Sequence, residues 1–226
     1  VYRDSRTGNA PALVRIAAVI CVGIACALAV GVMSGQTWPL DNEVLLALRR
    51  SADAQLPIGP TWLPDVMINL TNFGSSAVTG FVAAALAMFL LANAAYREAA
   101  FIGLLFGGAE LLGNGIKPLI GRARPDVVSH LVTASGQSFP SGHSTLSSAV
   151  YIGLALLFAS RLQSRTGRRA FLGLAIVMTG LVGFSRVFLG VHFPTDVIGG
   201  WGMGAGWSLL LWSIWVRCRP QAPSKD

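Results

Sequence analysis

Six apolar stretches of near-membrane length limit what this chain can become: residues 12–33, 77–95, 99–120, 143–160, 170–191 and 197–216. A spanning helix needs roughly 20 mainly apolar residues, and inside hydrocarbon every backbone N–H and C=O has to be paired within the element itself. The spacing therefore predicts an all-α membrane protein, a bundle of six transmembrane helices. The fourth stretch is short and opens on polar residues, so its boundary is the softest. Composition agrees: 53% of residues are hydrophobic and 12% charged, against roughly 25% charged in an ordinary soluble domain. The first stretch is longer than the about 7–15 apolar residues of a signal-peptide core, and no small-residue cleavage pattern stands out after it. It reads as an anchor that stays. The chain opens on Val1, which leaves room for residues upstream.

Arginines sort the connecting segments into two sets. One carries Arg3, Arg6, Arg15, Arg97, Arg161, Arg165, Arg168, Arg169, Arg217, Arg219 and Lys225; the other carries Arg49, Arg50, Lys117, Arg122, Arg124 and Arg186. The more basic set is expected in the cytoplasm, which puts both termini inside. The net charge of +7 is compatible with a nucleic-acid partner, but the arginines form no single patch with interleaved aromatics, and none is expected. Residues 39–56 are too polar to span. Val44, Leu45, Leu48 and Ala52 recur there at helical spacing beside Asp41, Glu43, Arg49 and Arg50, which predicts an interfacial amphipathic helix between the first two spans, with a plain loop as the alternative. Trp38, Trp62, Trp201, Trp212 and Trp215 fall mostly near expected interfaces. The glycines of the last two spans read as close helix packing rather than a ligand site. Cys21, Cys26 and Cys218 show no metal-binding spacing and read as free thiols. A single six-span domain over residues 1–218 is expected, followed by a disordered cytoplasmic tail at 219–226.

Three polar clusters fall at the outer ends of the last four spans. Lys117-Pro-Leu-Ile-Gly-Arg-Ala-Arg124-Pro125 puts two cations where a span ends. They could hold an anion or simply snorkel to the interface. Phe139-Pro140-Ser141-Gly142-His143-Ser144 precedes an apolar helix. It could be a capping turn with an incidental histidine, or a phosphate site made of helix-start amides, a glycine that admits close approach and a titratable ring. In Ser185-Arg186…His192-Phe-Pro-Thr-Asp196, the acid four residues after the histidine could orient the ring or only cap the last helix. Each cluster is ambiguous alone. Together they put three cations, two imidazoles and one acid on one membrane face, a set suited to phosphoryl transfer without metal. Glu110 and Asn114, one and two turns before Lys117, read as structural partners, and His130 as a solvated loop residue.

The ordered pattern K-x6-R-P, P-S-G-H and S-R-x5-H-x3-D resembles the signature of the type 2 phosphatidic acid phosphatase superfamily, which includes glucose-6-phosphatase and the vanadium haloperoxidases. Every signature position from Lys117 to Asp196 is filled, and upstream only the span layout is similar. The resemblance implies that Lys117, Arg124 and Arg186 hold the phosphate oxygens, helped by Ser141 and the Gly142 amide. It implies that His192 attacks phosphorus and becomes phosphohistidine, Asp196 fixes its tautomer, and His143 protonates the leaving oxygen and then serves as base for water. No metal and no cofactor is expected. The implied substrate is a phospholipid or polyprenyl phosphate, met at the extracytoplasmic face of a bacterial plasma membrane. Rival readings are a membrane phosphatase for a soluble sugar phosphate, a haloperoxidase, and a lipid-phosphate transporter or binding protein without chemistry. Against the last, mere binding needs the cations but not His143, His192 and Asp196.

Overall fold

The computed structural model describes residues 10–218; the expectations for Arg3, Arg6, Arg219, Lys225 and the 219–226 tail lie outside them. Its elements in chain order are α1 (Ala10–Met33), α2 (Pro39–Ala47), a hairpin of β1 (Arg49–Arg50) and β2 (Asp53–Pro57), α3 (Leu63–Asn72), α4 (Ser76–Ala92) and α5 (Tyr96–Glu110). A π-helical turn at Leu111–Gly115 leads into α6 (Lys117–Ile120), then α7 (Gly142–Ala159), α8 (Arg165–Phe188) and α9 (Pro194–Arg217). Among the described residues five helices are long and apolar enough to cross a membrane: Ala12–Met33, Tyr96–Ile120, Gly142–Ala159, Arg165–Phe188 and Pro194–Arg217. The second expected span divides. α4 has 17 residues and passes the same test only together with α3, across a bend of 42°. The count is six if that bent pair is one span.

Of the segment 39–56, expected to be one helix, only Pro39–Ala47 is helical. α2 stops at Ala47 because Arg49 turns inward rather than joining a polar helical face. Its guanidinium is buried and donates to the carbonyls of Phe188 (3.0 Å), Leu48 (3.2 Å) and Ser129 (3.1 Å). A cation is well placed at the carbonyl end of α8. The following residues pair antiparallel, Arg49 with Pro57 and Arg50 with Asp53. Trp201 is likewise not an interface anchor, since its indole donates to Thr179 O on α8 (3.2 Å).

α7 is the central helix: 67% of its apolar stretch is buried, against 17% for α1. The outward faces of α1, α4 and α8 leave Val19, Phe81, Met88 and Ile176 exposed, as lipid-facing positions do. α9 runs between α1 and α7 on two glycine faces. A Cβ at Gly200 would lie 2.7 Å from Ser141 O, and one at Gly204 would collide with Thr145 O and Ser148 Oγ on α7. On the other face a Cβ at Gly202 would lie 2.7 Å from Cys21 O, and one at Gly206 2.6 Å from a Val22 methyl on α1. Small residues permit this backbone approach where the hydrophobic effect cannot drive helices together. The other end of α9 packs Leu211 and Trp215 on Phe101, Ile102 and Leu105 of α5.

The helix ends divide the charges. Arg97, Arg161, Arg165, Arg168, Arg169 and Arg217 lie at the end where α5 and α8 begin and α7 and α9 finish. Arg161 pairs there with Glu98 at 2.8 Å. The three polar clusters lie at the opposite end, under α2, α3 and the 122–138 loop. The glycine faces give a direct expectation: Gly204→Val should destabilise the bundle by about 1–3 kcal/mol, the usual cost of overpacking. Gly23→Val, on α1 with open space around it, should not. Thermal unfolding of the two variants in detergent measures the difference.

Candidate active site

α7 starts at the site. Ser141 is its N-cap, fully buried, with Oγ accepting from Ser144 N (3.5 Å) and Ser144 Oγ (3.0 Å). Its own amide donates to the carbonyl of Asp196 (3.0 Å), fastening the start of α7 to the start of α9. Gly142 is required by close approach, since a Cβ there would lie 2.5 Å from Asn114 Oδ1. The first amides of a helix have no intrahelical acceptor, so this turn can receive an anion. His143 follows in the same turn, with the α3–α4 bend against it: a Cβ on Gly74 would lie 2.9 Å from His143 O.

His192 lies in the tight connection from α8 to α9 and is 1% exposed. Its Nδ1 is 3.4 Å from Asp196 Oδ2, a loose contact of the kind that tightens when a ligand is bound. Asp196 Oδ2 also accepts from Phe193 N (2.9 Å), so the acid both caps α9 and faces the ring. The two readings of Asp196 therefore coexist. On the other edge of the ring, Nε2 lies 3.3 Å from Arg124 Nη1. Arg124 also donates to the carbonyls of Val191 (2.8 Å), Ser135 (2.8 Å) and Gly136 (3.1 Å). Burial, reinforced by Arg186, Arg124 and Lys117, pushes the His192 ring well below the ordinary histidine range; a hydrogen bond with the Ser138 backbone acts in the other direction.

Arg186, near the end of α8, is 6% exposed. Its Nη1 donates to Thr71 Oγ1 on α3 (2.8 Å), and its Nε is buried without a protein partner. Lys117 is half-buried at the start of α6. Electrostatic interactions join Lys117 to Arg124, Arg186 and Asp196, and His143 to His192, Lys117, Arg124 and Arg186. The fold thus brings all three sequence clusters together. Gly121, at φ +72, ends α6 in the left-handed conformation that glycine adopts freely and turns the chain toward Arg122 and Arg124. Glu110 accepts from Ser76 Oγ (3.0 Å) and Asn114 Nδ2 (3.0 Å), a structural partner as expected. His130 is an exposed loop residue, as expected, with one ring nitrogen 2.7 Å from Pro125 O.

Arg122, Asp41, Thr71 and Asn114 were not assigned to the site from the sequence. Arg122 Nη1 donates to Asp196 Oδ1 (2.6 Å) and Thr195 Oγ1 (2.7 Å), and its Nη2 to Asp41 Oδ2 (2.8 Å). Only the proximity of Arg122 to Arg124 hinted at this. The partnership with Asp41 links residues 81 apart. Among the described residues, no group of three or more His, Cys, Asp or Glu is placed to hold a metal ion.

The sequence profile of the PAP2 superfamily matches residues 98–220, more than half of the chain. The chain belongs to this superfamily. Phosphatidylglycerophosphatase B of Bacillus subtilis (strain 168) is 36% identical over 168 residues, covering 72% of this chain and 80% of that protein. Lipid A 1-phosphatase of Rhizobium johnstonii is 40% identical over 127 residues, covering 52% of this chain but only 47% of that protein. A crystal structure of a transmembrane PAP2 type phosphatidylglycerolphosphate phosphatase from Bacillus subtilis is similar with a TM-score of 0.77 at 29% identity, over 89% of this chain and 97% of that one. The multi-pass membrane architecture is common to both folds.

The depressed basicity of His192 has a direct readout. In ¹⁵N-histidine-labelled protein without ligand, the His192 ring should keep the shift pattern of a neutral imidazole as the pH is lowered through about 6.5, where an unperturbed ring would protonate. His192→Asn identifies the signal. A ring that becomes cationic near that pH contradicts the buried, cation-flanked environment described above.

Proposed function

We propose that this chain is an integral membrane phosphatase that hydrolyses a phosphomonoester or diphosphate on a lipid. The observation that carries the reading is the buried His192, with an acid behind Nδ1, Arg124 beside Nε2, and Arg186 and Lys117 acting electrostatically on the ring. Such a ring is neutral, held in one tautomer, and directed at the place where a phosphate would be drawn. His192 Nε2 forms a bond to phosphorus while the bond from phosphorus to the leaving oxygen breaks, and His143 delivers a proton to that oxygen. The ring keeps its Nδ1 proton toward Asp196 while it carries positive charge. Water, relieved of a proton by His143, then cleaves the N–P bond and frees phosphate and His192. Lys117, Arg124 and Arg186 offset the charge on the equatorial oxygens, with Ser141 and the Gly142 amide, so no metal is required for that task. Arginine suits the work because its fork matches oxyanion geometry.

The lipid substrate is supported by the membrane-embedded position of the site and by what the relatives' names state they act on. Phosphatidylglycerol phosphate, phosphatidic acid, lipid A phosphates and polyprenyl diphosphates share the required chemistry, a terminal phosphate on a lipid. A phosphate-release panel over these lipids, with a soluble sugar phosphate as the competing class, tests the reading in detergent. His192→Ala should abolish release, and His143→Ala should lower it by about 10²–10⁴-fold, the usual contribution of a positioned proton donor. Activity should survive EDTA and be inhibited by vanadate. Loss in EDTA with recovery on adding magnesium would sink the metal-free reading.

The site is proposed to face away from the cytoplasm in a bacterial plasma membrane, with both termini inside. The helix end opposite the site carries the larger share of arginines, which positive-inside ordering assigns to the cytoplasm. Single cysteines at the exposed positions Ser135 and Gln163, in a chain lacking Cys21, Cys26 and Cys218, test it. Ser135→Cys should react with an impermeant thiol reagent in intact cells, and Gln163→Cys only after permeabilisation. The reverse pattern would move the chemistry to the inner leaflet.

A further inference from the structure

Asp41 lies outside the three signature clusters and Arg122 is a position within the first of them that the signature leaves unassigned, yet both contact the residues that support His192. Arg122 bridges two carboxylates: Nη1 reaches Asp196 Oδ1 at 2.6 Å and Nη2 reaches Asp41 Oδ2 at 2.8 Å. Thr195 closes the ring of contacts. Its hydroxyl accepts from Arg122 (2.7 Å) and donates to Asp41 Oδ2 (2.6 Å), while its amide donates to Asp41 Oδ1 (3.0 Å). Every oxygen of both acids is thereby engaged. The guanidinium carbon also lies 4.2 Å from the Phe193 ring centroid and 5.5 Å from that of Trp38, so the fork is held in orientation by aromatic rings as well.

The charge count gives this network a purpose. Arg122 alone against Asp196 would sum to zero and leave the acid little attraction for a positive ring. With Asp41 included, the three groups sum to −1. Of the two acids, Asp196 is the one that faces His192, with Oδ2 3.4 Å from Nδ1. Stability alone gives weak grounds for such an arrangement, because buried ion pairs often contribute little over apolar packing. We propose that Asp41 and Arg122 are positioning residues for the reaction: Arg122 fixes the orientation of Asp196, and Asp41 offsets the charge of Arg122 so that the network as a whole stays net negative toward His192 when the ring becomes phosphorylated. This rests on His192 being the nucleophile.

The test uses purified full-length protein in detergent and three variants. Asp41→Asn is isosteric and retains an acceptor for Thr195. It should lower kcat by about 10–100-fold, as loss of a group that orients a reacting residue does elsewhere, with little change in KM. Arg122→Lys keeps the charge but lacks the fork needed to bridge two carboxylates, and should lose rate as well. Vanadate, which imitates the five-coordinate state by bonding to the attacking nitrogen, should inhibit Asp41→Asn less strongly by a similar factor. Inhibition by inorganic phosphate, held by Lys117, Arg124 and Arg186, should be unchanged. Wild-type kcat in Asp41→Asn or in Arg122→Lys overturns the positioning role. So does a parallel loss of phosphate affinity, vanadate affinity and thermal stability, which is the mark of general loosening. His192→Ala separates the two levels: if it remains active, the nucleophile assignment fails first and the positioning role with it.

Discussion

Helices α7 and α9 touch backbone to backbone, and the geometry of the site is set by that contact. Gly200 and Gly204 remove the side chains that would hold the two helices apart, and the amide of Ser141 then reaches the carbonyl of Asp196. The cap of the helix bearing His143 and the acid behind His192 are thus referenced to each other through main chain. A site carried on rigid elements and fixed in this way does not depend on rotamers for its coarse geometry. α1 contributes from outside by packing on Gly202 and Gly206, although it supplies no reacting group.

Electrostatics divides the polar residues into two layers. In the outer layer Arg122 is saturated by Asp41 and Asp196. Toward the reacting space Lys117, Arg124 and Arg186 gather, with Asp196 acting on the first two and Glu110 on Lys117. Burying cations without counter-charge is expensive, and Arg186 keeps a buried Nε without a partner. Under the proposed function, a phosphate dianion supplies the negative charge that this cluster lacks.

The candidate site residues that the fold brings together were legible as a group because their motifs are local. Lys117, Ser141, Gly142, His143, Arg186, His192 and Asp196 each sit at a helix end that apolar periodicity, a proline or a capping residue already marks. Their supports were not legible. Asp41 meets Arg122 and Thr195 across distances in sequence that no local pattern reports, and Thr71 meets Arg186 across 115 residues. The 39–56 segment failed for a related reason. Its apolar spacing suited a helix throughout, but Arg49 is claimed by carbonyls of distant segments, and that tertiary demand outweighs local amphipathicity. α3 escaped notice because it is short and polar at its start, and it joins α4 only through a bend at Gly74.

The π-helical turn at Leu111–Gly115 has a bearing on how this scaffold tolerates change in length. Each residue added to or removed from an α-helix turns everything beyond it by about 100°, and a π turn is in effect one residue of surplus. The surplus lies between Glu110, which is anchored to α4 through Ser76, and Lys117, which the proposed function assigns to the phosphate. Deleting one residue there would remove the bulge and restore regular winding with Lys117 still in phase with the helix before it, whereas deleting a residue from the regular winding of α5 would turn Lys117 by about 100°. The bulge is thus where this helix can change length without re-aiming the lysine.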